Sequence, residues 1–419
     1  MGQKITSIKG VPDVLPPQIH LWHRIEDAAR RVFPAYGYDE IRPAVIEKTE
    51  LFTRSIGTET DVVSKEMYTF VDKGEDSVTL RPEGTAGVVR AFVEHGVAQT
   101  DPKTRWWYLG PMFRRERPQK GRYRQFWQLG AEAFGQGSAR VDAEMLAMLR
   151  DLFEACALPG VAFHVASIGD AKCRPAYKAK LQEFLRGRAD RLCEDCARRI
   201  ETNPLRVLDC KKEGCRAATQ DAPRLMAHLC DECRAHFEEL RRSLDLLKVA
   251  YEVDDRIVRG LDYYVRTTFE LLHTGEGLGS QNAVGGGGRY DGLVQDLGGP
   301  PVPGVGFALG MERLVLALEA RGAAVKAGPD AFLAPMGAAA VERAMVLARE
   351  LRTAGLRVDM DYDGKKLGKT LERADKAGAR AAVILGEDEL ARGEAKVKTL
   401  ATGEETFVPL ADLATALQR

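Results

Sequence analysis

The spacing of apolar residues changes period several times along the chain, and each change predicts an element. After a proline-bearing stretch, 4–17, that reads as an extended arm, Ile19, Trp22, Ile25, Ala29 and Val32 recur three and four residues apart. That spacing is one buried helical face, and Pro34 and Gly37 stop the helix. Residues 38–46 read as a strand, and Pro43 inside them removes a ladder donor, which places the strand at a sheet edge or a subunit boundary. A short helix is expected over 47–56 and a mobile polar loop over 57–65. Strands follow at 67–71 and 77–80 around the turn Lys73-Gly74-Glu75-Asp76. The second strand runs into Arg81-Pro82-Glu83-Gly84-Thr85, where Gly84 permits a sharp turn and Thr85 can cap a helix over 86–95.

Two apolar runs, one ending at Leu109 and an alternating one from Gln125 to Phe134, predict antiparallel strands joined by a long loop. Residues 138–156 have the spacing of an amphipathic helix, with Met145 and Met148 as core filler. A strand follows at 161–167. From about 171 to 249 the pattern turns to charged helical segments, which we read as an inserted subdomain. Strand-like stretches resume at 251–254 and 267–272, and the glycine-spaced 304–310 enters a helix ending near Leu318. Small residues over 321–329 read as a linker. Beyond it, short strands (330–335, 357–361, 381–385) alternate with helices (339–354, 367–377), then a hairpin (396–401 with 406–409) and a last helix, making a compact α/β domain with a mixed sheet.

A chain of 419 residues exceeds one ordinary core and implies two or three domains. We set the boundaries at 1–325, interrupted by the 171–249 insertion, and 330–419. Basic and acidic residues both number 61, so any nucleic-acid binding must come from local patches rather than net charge. No apolar run is long enough to span a bilayer, and the first ten residues lack the apolar core of a signal peptide. The first six fit an acylation pattern short enough to recur by chance. A cytoplasmic location is the simplest expectation, with the eight cysteines reduced.

The chemistry concentrates in 105–135, which holds three of the four tryptophans and a loop carrying Arg114, Arg115, Glu116, Arg117, Lys120, Arg122 and Arg124. A strand pair buried for stability alone keeps its charges at the rim. Planar guanidinium groups beside aromatic faces suit a polyanion that carries a flat base. Glu83, at a strand end beside a helix start, can receive an ammonium group or merely cap the helix. Arg259-Gly260-Leu261-Asp262-Tyr263-Tyr264 holds a cation, a carboxylate and two phenols around a glycine turn, a group suited to a small polar molecule and to charge on a phosphate. Arg313, in the first turns of its helix, can meet a terminal phosphate. Lys365, Lys366, Lys369, Arg373 and Lys376 form a solvated face or an RNA contact.

Seven of the eight cysteines lie in the insertion, as Cys173, the pair Cys193-x-x-Cys196, Cys210 with Cys215, and Cys230-x-x-Cys233. One structural zinc on Cys193, Cys196, Cys230 and Cys233 is one reading, although the gap between the pairs exceeds the usual ribbon spacing. Reduced thiols packing a small helical unit is the reading we prefer from sequence.

A proline-bearing strand after a long helix, the FRRERPQKGRYRQF hairpin and GFALGMERL, in that order, resemble the three signature motifs of class II aminoacyl-tRNA synthetases. RPEGT at 81–85 and RGLDYY at 259–264 resemble the histidine-specific elements of the histidyl-tRNA synthetase family, over nearly the whole chain. The resemblance implies a catalytic domain on an antiparallel sheet flanked by helices, with a C-terminal α/β domain that binds the anticodon. It implies that Arg114 holds the ATP α-phosphate, Glu116 and Phe126 meet the adenine, and Arg313 meets the γ-phosphate, with Mg2+ accompanying ATP. Glu83 and Gln128 would receive the histidine ammonium, Glu132 and Tyr264 the imidazole, with Thr85 and Tyr263 in the same pocket. Arg259 would contact the carboxylate and the α-phosphate, and Arg117 and Gln119 would approach the acceptor end of tRNA(His). Trp127 stands where many relatives have histidine and would add a stacking surface. A homodimer is implied by the Pro43 strand. The alternative is a synthetase-like regulatory subunit of ATP phosphoribosyltransferase, which binds histidine without aminoacylation. Such paralogues typically lack the anticodon domain and the RGLDYY arginine, and this chain has both.

Overall fold

The first helical period forms α1 (Ile19–Ala35), which buries Leu21, Trp22, Ile25, Ala28, Ala29 and Phe33. The chain is described by a computed structural model over residues 4–57, 60–257, 261, 263–279, 282–322, 328–364 and 366–418. It divides into two units, 1–323 and 324–419.

Instead of one strand over 38–46, the structure has β1 (Asp39–Glu40) and β2 (Ile46–Lys48) in two different sheets. The break has a local cause. Pro43 has no N–H to give a ladder, and the carbonyls of Pro43 and Ala44 are taken by the Arg81 guanidinium at 2.7 and 3.2 Å. The same group donates to the Pro111 carbonyl at 2.9 Å, so one arginine holds three segments. After α2 (Thr49–Ile56), Val62–Glu66 form one wide helical turn where a plain loop was expected, held by Thr60, whose carbonyl accepts from Ser64 N–H at 3.0 Å. β3 (Tyr68–Val71) and β4 (Ser77–Leu80) form the expected hairpin and, with β2, a three-stranded antiparallel sheet.

Helices α3 (Thr85–Glu94) and α4 (Val97–Thr100) lead to β5 (Arg105–Phe113) and β6 (Gln125–Phe134), which pair antiparallel from Arg105 opposite Ala133 to Phe113 opposite Gln125. Next come α5 (Ala139–Ala155) and β7 (Val161–Ser167). The insertion is built of α6 (Arg174–Arg186), α7 (Glu194–Thr202), α8 (Leu205–Leu208), α9 (Glu213–Ala218) and α10 (Asp231–Leu246). β8 (Glu252–Val253), β9 (Val265–His273), β10 (Ala283–Arg289), α11 (Leu293–Asp296), β11 (Gly304–Gly310) and α12 (Met311–Ala320) complete the unit.

The main sheet runs β1-β5-β6-β11-β10-β9-β7-β8. It is antiparallel from β5 to β7, with one short parallel strand at each edge. β5 with β6, β9 with β10, and β10 with β11 are sequence neighbours that pair antiparallel, while β6 with β11 and β7 with β9 join segments far apart in the chain. α1, α5, α10 and α12 supply Phe33, Met148, Phe237 and Leu314 to one continuous core against the sheet. α10 is fixed to that core by charge as well. His236 Nε2 lies 3.0 Å from Asp142 Oδ2 and 3.1 Å from Thr267 Oγ1, and Arg289 Nη2 donates to Asp142 Oδ1 at 2.8 Å. Both Asp142 and Arg289 are fully buried. Burial alone would raise the Asp142 carboxyl, but Arg289 and His236 outweigh it and hold the group below the usual carboxylate range.

The second unit holds β12 (Ala331–Pro335), α13 (Ala338–Thr353), β13 (Val358–Met360), α14 (Leu367–Lys376), β14 (Ala381–Leu385), α15 (Glu387–Arg392), β15 (Glu394–Thr399), β16 (Glu405–Pro409) and α16 (Leu413–Gln418). Its sheet, β13-β12-β14-β15-β16, is parallel over the first three strands and antiparallel over the last two. α15 lies in a stretch for which the sequence pattern predicted no helix.

Candidate active site

Strand parity builds the site. On β6, Phe126 and Gln128 face a cavity of about 610 Å³, and Trp127 between them points to the opposite side. There Trp127 meets Trp22 of α1 edge-on, with ring centroids 6.0 Å apart. The expectation that Trp127 adds a stacking surface to the pocket is therefore corrected, because side chains one residue apart on a strand lie on opposite faces.

Glu83, Thr85, Arg114, Glu116, Phe126, Gln128, Tyr263, Tyr264 and Arg313 all line this one cavity. Arg259, with Val258, Gly260 and Asp262, lies outside the described residues. Arg117 and Gln119 are exposed on the hairpin loop and do not line the cavity. Gln119 and Arg122 exchange backbone hydrogen bonds at 3.0 and 2.9 Å, which closes that loop into a tight tip.

Glu83 caps α3 in place of Thr85: its two oxygens accept the Thr85 and Ala86 N–H groups at 2.7 and 2.8 Å. Burial pushes its carboxyl up, against the pull of those two donors and of Arg114. Thr85, freed from capping, donates its hydroxyl to Glu132 Oε1 at 2.6 Å. Glu132 is fully buried one layer behind Thr85, and its second oxygen accepts the Tyr290 hydroxyl at 2.5 Å. Burial moves the Glu132 carboxyl up to about 8 despite both donors. It occupies space that only glycine leaves on β11, since a Cβ on Gly306 would sit 1.6 Å from Glu132 Oε2. Gly84 has a similar reason. Its φ is not positive, so the turn itself does not require glycine, but a Cβ there would lie 2.2 Å from the Tyr108 ring.

Three arginines converge in the same cavity. Arg114 donates Nε to the Pro82 carbonyl at 2.9 Å and lies 5.2 Å from the centre of the Phe126 ring. Arg313 donates to the carbonyls of Gly121 and Ala283 at 3.2 and 2.5 Å. Burial, then Arg122 and Arg114 as like charges, lower the Arg313 guanidinium below its ordinary value, and such a cluster is completed by an anion. Arg122, which pairs with Glu116, was not separated from the other loop cations by sequence. Nor were Asp209 and Lys211, which reach the cavity wall from the insertion. No short-range pattern marks them, because the insertion's docking brings them there. Gln128 Oε1 is buried and without a hydrogen-bond partner among the described residues, and an acceptor in that state costs about 1–3 kcal/mol until something fills it.

In the cysteine-rich insertion the four-cysteine grouping offered as one reading of the sequence is not the one that forms. Cys193 and Cys196 do not meet Cys230 and Cys233. Cys193, Cys196, Cys210 and Cys215 form one quartet, and Asp170, Cys173, Cys230 and Cys233 another. Helix packing, which sequence spacing does not report, selects the partners.

Comparison with known proteins gives the same reading along the whole chain. A family model described as histidyl-tRNA synthetase matches residues 10–314, and one described as an anticodon binding domain matches 330–419. A protein of Anaeromyxobacter dehalogenans named histidine–tRNA ligase is 53% identical over 98% of this chain and 99% of its own. One of the same name from Geobacter metallireducens is 52% identical over 99% of both. The crystal structure of apo histidyl-tRNA synthetase from S. aureus superposes with a TM-score of 0.81 at 36% identity, covering 99% of this chain and 100% of that one.

Proposed function

The chain belongs to the histidyl-tRNA synthetase family, and from that premise we propose that it attaches L-histidine to tRNA(His) through a histidyl-adenylate. The observation that supports this reading best is that one cavity brings two chemistries together. It holds the convergent Arg114, Arg122 and Arg313 together with the buried carboxylates Glu83 and Glu116 and the unpartnered Gln128 Oε1.

In the proposed arrangement the ATP adenine stacks on Phe126 beside Glu116. Arg114 holds the α-phosphate and Arg313 the γ-phosphate. The histidine ammonium sits between Glu83 and Gln128, and the imidazole meets Tyr264 and the layer formed by Thr85, Tyr263 and Glu132. A histidine carboxylate oxygen attacks the α-phosphorus, the bond to the bridging oxygen breaks, and pyrophosphate leaves with its electron pair. No side chain needs to take a proton in that step, so positioning and cations carry it. Arg259 is assigned to the charge that builds on the α-phosphate. The oxygen of a ribose hydroxyl of the tRNA then bonds to the carbonyl carbon, the bond to the AMP phosphate breaks and the hydroxyl proton leaves with the AMP, with Arg117 and Gln119 guiding the acceptor end.

Mg2+ brought in with ATP would neutralise phosphate charge during adenylation. Glu270, a carboxylate at the cavity wall, suits it, whereas both oxygens of Glu312 accept the Trp127 N–H at 2.9 and 3.2 Å. The unit at 330–419 reads the anticodon, the protein acts as a homodimer in the cytoplasm, and no helix among the described residues is long and apolar enough to cross a membrane. The regulatory-subunit reading is not favoured, because the full-length relatives named above are ligases.

The deciding measurement is histidine-dependent exchange of pyrophosphate into ATP. Exchange with histidine and no other amino acid is expected, and it falls steeply in Arg259→Ala with both substrates still bound. Exchange supported by another amino acid, or none at all with intact binding, overturns the reading. Full exchange in Arg259→Ala removes that residue's role alone.

A further inference from the structure

Two groups of four donors gather in and beside the insertion, one of four cysteines and one of three cysteines with Asp170, and all donor atoms of each group lie within 4.8 Å of one another. We propose that Cys193, Cys196, Cys210 and Cys215 bind one Zn2+ as a tetrathiolate, and that Asp170, Cys173, Cys230 and Cys233 bind a second.

The first site is argued from its sulfurs. All eight cysteines of the chain are free thiols. Tetrahedral zinc with Zn–S bonds of about 2.3 Å puts its sulfurs about 3.8 Å apart, which falls inside the 4.8 Å within which these four sulfurs lie. Cys193 is the N-cap of α7 and Cys196 its third residue, while Cys210 follows α8 and Cys215 lies within α9. The Cys193 N–H donates to Cys215 Sγ at 3.2 Å, the kind of bond that steadies a thiolate ligand. Hydrophobic packing would scatter four small side chains over a core. It gives no reason for sulfurs from three helical segments to converge, two of them buried and two half-buried. α8 and α9 have only four and six residues, too short to stand alone, so metal binding would add folding energy to the small local core that Tyr177, Leu181, Ile200 and Val207 form around them.

The second site rests on separate geometry. Cys173 is the N-cap of α6, and Cys230 is the N-cap of α10 with Cys233 its third residue, which repeats the first site's layout. Cys173 and Cys233 sulfurs are 3.9 Å apart, and Asp170 Oδ1 lies 3.7 and 3.9 Å from the Cys173 and Cys230 sulfurs. The other Asp170 oxygen is held by Arg266 at 3.4 Å, an outer partner that orients a ligating carboxylate. This site clips the first helix of the insertion to its last. The tetrathiolate sets its far part, and Cys210 stands between Asp209 and Lys211 at the wall of the active-site cavity.

The test is metal content of the full-length protein made in zinc-supplemented medium and passed through a weak chelator. Two zinc ions per chain are expected. Cys193→Ser/Cys215→Ser lowers the count to one, Cys230→Ser/Cys233→Ser also lowers it to one, and Cys156→Ser leaves two. Because a double variant can fail to fold, cobalt substitution of the unaltered protein is measured alongside, with intense thiolate-to-cobalt absorption expected at both equivalents. A zinc-free protein with all thiols titrating, or cysteines paired as disulfides within the quartets, overturns the proposal. Loss of zinc only in the Cys193/Cys215 variant, from a starting count of one, overturns the second site and supports the first.

Discussion

The Thr85 hydroxyl donates to Glu132 Oε1 over 2.6 Å, tying the RPEGT turn to the second strand of the arginine-rich hairpin through a bond wholly inside the protein. The same carboxylate takes the Tyr290 hydroxyl, so three segments meet on Glu132.

Glu132 gives the protein a pH dependence with a definite sign. Its carboxyl titrates at about 8 when folded, because of burial, against about 4.3 in an unfolded chain. Between those values the folded state holds the extra proton, so this group's contribution is full below about 4.3 and fades as pH rises through 8, with a slope of up to about 1.4 kcal/mol per pH unit. Glu132→Gln lacks the group. Thermal unfolding of the unliganded proteins from pH 5 to 8 should show the unaltered protein losing stability relative to the variant. Parallel curves would remove the assignment.

Gln128→Ala deletes the unpartnered acceptor. A hydrogen bond to a charged group is worth about 1.5–3 kcal/mol, so the histidine KM in pyrophosphate exchange should rise about 10- to 100-fold while the ATP KM stays within about twofold. An unchanged histidine KM would place the amino acid elsewhere.

Arg122→Ala tests the residue that sequence left among the loop cations. With Arg114 and Arg313 still present, loss of one cation facing the phosphates should weaken ATP about 10-fold by equilibrium binding and leave histidine binding intact. Equal weakening of both ligands would point to loss of the hairpin's shape instead.

Arg289→Met leaves the Asp142 carboxylate buried with the His236 ring, 3.0 Å away, as its remaining side-chain partner. Removing one member of a buried pair costs about 3–5 kcal/mol, read as a lower midpoint in urea. The double variant Arg289→Met/Asp142→Leu should recover part of that loss. A surface-like loss below about 0.5 kcal/mol would contradict the buried network.

Gly306→Ala puts a methyl group where Glu132 Oε2 lies, at 1.6 Å, and nothing flexible stands between them. We expect lost histidine-dependent exchange together with lower thermal stability, and near-normal behaviour would mean that Glu132 has another rotamer to use.

The strands were legible where one residue's period carried the information. Phe126, Gln128 and Glu132 share a face because side chains alternate, and β5 and β6 pair over their full length. What stayed hidden depends on partners far along the chain. The strand at Pro43 splits because Arg81, almost forty residues on, takes its carbonyls. Cys193 joins Cys215 rather than Cys230 because α7, α8 and α9 fold on each other. The cap of α3 was a local choice that the sequence left open between Thr85 and Glu83, and Glu83 takes it.

α10 carries Phe237, Leu240 and Leu244 into the central core, and His236 onto Asp142. Anyone who wishes to exchange the insertion for another should therefore cut before Asp231 and leave this last helix with the host. A graft that removes it would take away a rib of the recipient along with the appendage.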